Sequence, residues 1–320
     1  MQAPPITPGG DPNFRYEPPP EELPEVRSPR QIRRVRRRRA LKRFWGQYRR
    51  NTMGMVGLVI LILFILMAIF ATFADKSGSD PTLTSGPVLH APSLKYPLGT
   101  DDFGLSVLTL VIQGSKISLL VGLVATIMTM SIGAIIGIVA GYRGGWIDTV
   151  LMRFTDFGLV LPWLALAIVL ASILGQSLLI IILVIGVTSW PGTARLVRSQ
   201  VLSVRERPYV ERARALGGGN WHMIVRHILP NVMPVIFANT ILTVAIAILS
   251  ESALSFLGLG DPTSPSWGTL LENAFNAGAT TLGAWWWIGA PGVCIVLVVL
   301  AFTMCGFAMD EIINPKIRER

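Results

Sequence analysis

Apolar residues in this chain fall into long, nearly unbroken runs separated by short polar or glycine- and proline-containing stretches. The runs lie at Met53 to Phe73, Ile117 to Gly141, Phe157 to Leu174, Leu178 to Val197, Val232 to Leu249 and Ile288 to Met309. Each is near the roughly 20 residues that an α-helix needs to cross a hydrocarbon core about 30 Å thick. A helix also satisfies its own backbone polar groups where no water is present. The pattern predicts an all-α polytopic membrane protein with about six transmembrane helices, and an even number of spans puts both termini on the same side.

Composition supports this division. Mean hydropathy is +0.55 and 15% of residues are charged, against about a quarter in a soluble globular domain. The simplest organisation is a tail over residues 1–50 and a transmembrane domain over 51–320. The net charge of +9 is localised, because twelve of the 28 Lys and Arg lie between Arg27 and Arg50 with no acidic residue among them. A basic run can bind nucleic acid, but this one directly precedes the first span, where Lys and Arg hold a segment on the cytoplasmic side of the bilayer. The expected partner is therefore lipid, with no nucleic acid. Seven Arg against two Glu between Arg195 and Arg226, and no Lys or Arg from Glu251 to Gly283, give the same orientation. The expectation is a multi-pass protein of the bacterial cytoplasmic membrane with both termini cytoplasmic.

Residues 1 to about 30 hold nine prolines and little apolar periodicity, a composition that buries too little surface to offset chain entropy. The tail is expected to be disordered, although its prolines also suit an aromatic groove on a partner. The first apolar run is too long and starts too late for a cleavable signal. Cys294 and Cys305 sit eleven residues apart in one run, about 16 Å along a helix, too far to pair. In the second span Ala125, Thr129, Gly133, Gly137 and Gly141 recur every four residues, a small-residue stripe that lets helices approach closely. Pro162 and Pro191 predict kinks in the third and fourth spans.

Between the fourth and fifth spans, residues 195–230 form a polar loop with a helical pattern. Pro208 suits the first turn of a helix and Gly217 to Gly219 cannot comfortably continue it, which predicts a short helix from Pro208 to Leu216. Asn220 suits the N-cap of a second helix ending at Pro230. A helix of barely two turns is marginal alone in water, so the elbow is expected to dock on a partner. Its sequence, Tyr209-Val-Glu-Arg-Ala-Arg-Ala-Leu-Gly217 followed by Leu229-Pro230, resembles the Glu-Ala-Ala loop of importer permeases of the ATP-binding-cassette superfamily, with Arg212 in place of the first Ala. The resemblance implies that Tyr209, Glu211, Arg212, Ala213, Ala215, Leu216 and Gly217 couple the membrane domain to an ATPase subunit.

A second run, Leu249-Ser-Glu-Ser-Ala-Leu-Ser-Phe-Leu-Gly-Leu-Gly260, with Pro265-Ser-Trp-Gly268 after it, resembles the C-type permease of dipeptide and oligopeptide importers. Gly99-Thr-Asp-Asp-Phe-Gly104 resembles a segment ahead of the second span in the same permeases, but Leu105 and Ser106 replace its Arg-Asp pair. The resemblance implies half of a translocation pathway for peptides, completed by a homologous B-type permease, two ATPase subunits and an extracytoplasmic solute-binding protein. Nickel and other small solutes use similar permeases.

The chain itself shows no Gly-x-x-x-x-Gly-Lys-Ser/Thr, so ATP and Mg are assigned to the partner ATPases and no cofactor to this chain. It carries no His-Glu-x-x-His or Gly-x-Ser-x-Gly either, which argues against a membrane enzyme. His222 and His227 are badly spaced for a metal. A channel would share polar span residues but has no use for a docking elbow. Asn239, Thr240, Thr243 and, near the outer end, Glu251 are the candidates for the solute pathway.

Overall fold

The computed structural model describes residues 42–76 and 86–313. The chain divides into two units between Gly46 and Gln47. In the first, residues 42–46 are helical. The proline-rich stretch and the basic run as far as Arg39 lie outside the described residues, and so do residues 77–85 of the segment after the first span.

The second unit is built from α1 (Thr52–Lys76), α2 (Val107–Arg143), α3 (Gly145–Val160), α4 (Trp163–Leu174), α5 (Leu178–Thr188), α6 (Trp190–Arg205), α7 (Pro208–Ala215), α8 (Asn220–Met223), α9 (Leu229–Leu254), α10 (Trp267–Asn276) and α11 (Trp285–Ile313). Apart from one bridge between Thr100 and Ser106, regular structure among the described residues is helical. Among the described residues, five stretches are long and apolar enough to cross a membrane: Thr52–Phe73, Val107–Arg143, Leu178–Arg205, Asn220–Leu259 and Trp285–Ile313. The bent pair α3 and α4 supplies a sixth if counted as one span.

That pair corrects the third predicted span. Phe157 to Leu174 is not one kinked helix, because the chain turns by 87° between α3 and α4. The cause is local. A residue before proline is driven out of the helical region, and Leu161, ahead of Pro162, is extended at φ −68°, ψ 131°. Pro191 is milder, since it falls in the first turn of α6, where a missing donor is harmless.

α2 is the central helix, and its small-residue stripe packs within the chain on α6. A Cβ on Gly137 would lie 2.6 Å from the Ala194 carbonyl oxygen and 2.8 Å from Val197 Cβ, so only glycine permits this approach. α1 packs on α11 in the same manner, and its start is tied down where Asn51 accepts from the Gly54 N–H at 2.8 Å and donates to Glu311 Oε2 at 2.7 Å. Cys294 and Cys305 are both unpaired thiols.

Candidate functional site

The elbow is held open by backbone chemistry. α7 begins on Pro208, carries Glu211 in its first turn and Arg212 and Arg214 in its last, each sign at the helix end that favours it. At its other end Gly218 N–H bonds the Ala213 carbonyl at 3.1 Å and Gly217 N–H bonds the Arg214 carbonyl at 3.0 Å. This Schellman pairing needs a left-handed residue, and Gly217 supplies it at φ +87°. Val210 and Met223, both fully buried, peg α7 and α8 into a cluster with Val201, Val204 and Ile228.

Two expectations about the second half of the elbow are corrected. Gly219, not Asn220, occupies the N-cap position. Asn220 is inside the first turn and its Oδ1 accepts a hydrogen bond from Tyr142 Oη at 3.0 Å, which ties the elbow to the end of α2. Pro230 does not end a helix; it lies in the first turn of α9. The chain passes from α8 through a π-helical turn, Ile224–Ile228, in which Leu229 N–H reaches back to the Ile224 carbonyl. The wider turn precedes a residue that can donate nothing and crowds the preceding carbonyls. A further turn, Ser255–Leu259, follows α9 and kinks at Gly258, whose φ of +79° leaves the helical region; with it the rod Asn220–Leu259 counts 40 residues, about 60 Å at 1.5 Å per residue.

The predicted coupling residues lie on this elbow. Tyr209, Glu211, Arg212, Ala215, Leu216 and Gly217 are exposed, whereas Ala213 is half-buried and packs inward on the cluster around Val210. Leu216 is 88% and Trp221 77% exposed. Two large apolar side chains so exposed on either side of the glycine break are the kind of surface that marks an interaction site. Trp221 was not among the sequence candidates, although its position straight after the glycine break is a usable signal. Neighbouring arginines brace the elbow. Arg205 Nη1 donates to the Gly141 carbonyl at 3.0 Å, and Arg214 lies over the Tyr142 ring, 5.8 Å from its centre.

The polar residues of the spans separate into two places. Asn239, Thr240 and Thr243 are half-buried on α9. Asn239 Nδ2 and Thr243 Oγ1 approach the Met130 thioether at 3.6 and 3.7 Å, and Thr193 Oγ1 reaches the same sulfur from α6 at 3.6 Å. Thr240 bonds the Ile236 carbonyl. Glu251 stands apart. It is 1% exposed and enclosed by serine hydroxyls from α2, from α9 and from the residues flanking it, so within this chain it faces packing and not an open path.

The Gly99-Thr-Asp turn lies before α2. Asp101 Oδ1 accepts from the Leu105 N–H at 2.7 Å and the Phe103 N–H at 3.0 Å. Burial pushes the Asp101 carboxyl above the usual aspartate range, against the pull of those two backbone bonds. His222 and His227 rings meet edge to face, and no cluster of three or more His, Cys, Asp or Glu that could hold a metal occurs among the described residues.

Comparison with known proteins agrees with this architecture. Residues 133–319 match the family described as binding-protein-dependent transport system inner membrane component, and residues 40–92 match the N-terminal TM domain of oligopeptide transport permease C. The chain is 39% identical over 230 residues to the dipeptide transport system permease protein DppC of Bacillus subtilis, covering 71% of each protein. It is 34% identical over 237 residues to the di/tripeptide transport system permease protein DppC of Pseudomonas aeruginosa, covering 74% of this chain and 77% of that protein.

Proposed function

Because the chain belongs to the family of inner-membrane components of binding-protein-dependent transport systems, we propose that it forms half of the translocation pathway of an ATP-driven importer of short peptides. A homologous B-type permease supplies the other half, two ATPase subunits bind ATP and Mg, and an extracytoplasmic solute-binding protein delivers the peptide. The chain performs no chemistry of its own.

The observation that carries this reading is the elbow. The two-turn helix α7, with exposed Leu216 at its end, is locked at a fixed angle to α8 by the Gly217 cap and the Val210 and Met223 pegs, and α8, which carries exposed Trp221, continues into the rod. Such a part transmits a push. The rod outreaches a hydrocarbon core of about 30 Å, so the elbow stands clear of the bilayer. We place it, with both termini, on the cytoplasmic side, where the ATPases work and where the excess of arginine belongs. Asn239, Thr240 and Thr243, grouped around Met130, are proposed to become part of the pathway wall when α2 and α9 separate, since weakly polar groups pass varied side chains without trapping any.

The test is the reconstituted complex. Glu211→Ala and Gly217→Val should reduce ATPase stimulation by peptide-loaded binding protein while the subunit still inserts. Unchanged stimulation in both variants removes the coupling assignment, and stimulation only by a metal-loaded binding protein removes the peptide.

A further inference from the structure

The second sequence motif, from Leu249 through Gly268, is not used by the elbow or by the Met130 group. In the structure its residues build a single joint. Glu251 Oε1 accepts from Ser255 Oγ at 2.8 Å, and Oε2 accepts from Ser118 Oγ at 3.2 Å and Ser252 Oγ at 3.4 Å. Ser118 in turn accepts the Trp267 N–H at 3.1 Å. One carboxyl group on the rod therefore gathers α2 directly through Ser118 and the first turn of α10 by way of Ser118 and Trp267.

Packing at the joint is tight. Trp267 is fully buried, donates Nε1–H to the Val111 carbonyl at 2.9 Å and meets Phe64 edge to face at 5.5 Å. A Cβ on Gly268 would fall 2.7 Å from the Ser252 carbonyl oxygen, so α10 begins in backbone contact with the rod. Ser266 and Thr269 close a capping box on that same turn. Further along α10, Leu270 and Ala274 stay in the core while neighbouring residues face a cleft. Leu270, Asn273 and Asn276 line an open cleft of about 560 Å³, opposite Asp101, Asp102 and Trp287.

We infer that Glu251 is a positioning residue: its joint fastens α10 to the rod Asn220–Leu259, so that α10 moves with the elbow and shapes the cleft at the far end of the molecule. The inference rests on the importer reading above. A carboxyl group suits the task because its two oxygens take several hydroxyl donors at once. Glutamine keeps the shape but replaces one acceptor with a donor, which loosens the joint without opening a cavity. Ser118→Ala removes only the bridge between Glu251 and Trp267.

The experiment uses the complete transporter in lipid nanodiscs, with ATPase rate followed against the concentration of peptide-loaded binding protein. For Glu251→Gln and Ser118→Ala we expect basal ATPase within about twofold of wild type, a maximal stimulated rate reduced at least about tenfold, and a half-saturating concentration unchanged. Gly268→Ala, which prises the joint apart without touching Glu251, should give the same pattern. Wild-type stimulation in both Glu251→Gln and Ser118→Ala overturns the inference. So does a raised half-saturating concentration with an unchanged maximum, which would make the site part of a docking surface. If Glu251→Gln does not assemble, Ser118→Ala decides alone. Should the wild-type complex ignore peptide-loaded binding protein, the importer reading fails and takes the joint's role with it.

Discussion

Arg198 grips Asp148 with both arms of its guanidinium, Nε to Oδ1 at 2.5 Å and Nη2 to Oδ2 at 2.6 Å, and so clamps the first turn of α3 to α6. Both side chains are mostly shielded, at 31% and 17% exposure, and a bidentate pair is geometrically specific in a way that a lysine cannot reproduce. Arg198→Lys is expected to lower the stability of the purified subunit by about 1 kcal/mol, and Asp148→Ala by about 2 to 3 because it strands a partly buried guanidinium. Thermal unfolding in a fixed detergent would show it; equal midpoints for the two variants and wild type would mean that the clamp is ornamental.

Gly137→Val addresses the contact between α2 and α6. With 2.6 Å available to the Ala194 carbonyl oxygen, the new side chain cannot fit unless a helix shifts. Overpacking of this kind costs about 1 to 3 kcal/mol, and more where the obstacle is backbone. The expected result is poor membrane accumulation, whereas Gly192→Ala, with nothing within 4 Å of the added Cβ, should accumulate normally.

Asp101 gives a pH dependence whose direction is fixed. Its folded carboxyl titrates above the unfolded value because burial disfavours the charge. Its protonation therefore favours the fold, a contribution complete below the unfolded aspartate value near 3.9 and lost as pH rises through the raised folded value. Asp101→Asn keeps an oxygen for the Leu105 and Phe103 N–H groups and carries no charge. The variant should be more stable than wild type at neutral pH, with the gap closing as the pH is lowered. Melting curves of both proteins across that range would check it, and a gap that widens in acid would contradict it.

At the tip, Leu216→Ser and Trp221→Ser should leave the fold intact, since 88% and 77% of these side chains are exposed, while weakening association with the ATPase subunits by about tenfold or more if they act as interface anchors. Co-purification at increasing salt separates this from an electrostatic contact through Arg212.

The spans were readable because a membrane helix is chosen by hydropathy over about 20 residues, a signal that tertiary packing does not override. The α7 boundaries were readable for a similar reason, since Pro208 and Gly217 act through their own backbones. Prolines with a neighbour to compensate them were not. Pro162 and Pro230 look alike in sequence, yet one breaks the chain by 87° and the other is absorbed by a π-helical turn and continues a helix. What distinguishes them is the surrounding backbone. Asn220 has the chemistry of a cap, but Tyr142, distant in sequence, claimed its side chain. Glu251 reads as a pathway candidate from its polarity, while the serines around it come together only where α2 meets the end of α9, a contact that no local pattern announces.

The π-helical turn at the elbow end of the rod has a geometric consequence. An α-helix advances about 100° per residue, and each π turn accommodates one residue more than a regular turn would. The azimuth of the elbow about the rod, measured against Glu251, is thus set by how Ile224–Ile228 is wound. Rewinding the same five residues as regular helix would swing Leu216 and Trp221 by about a quarter of a circle, re-aiming the tip with no change of sequence.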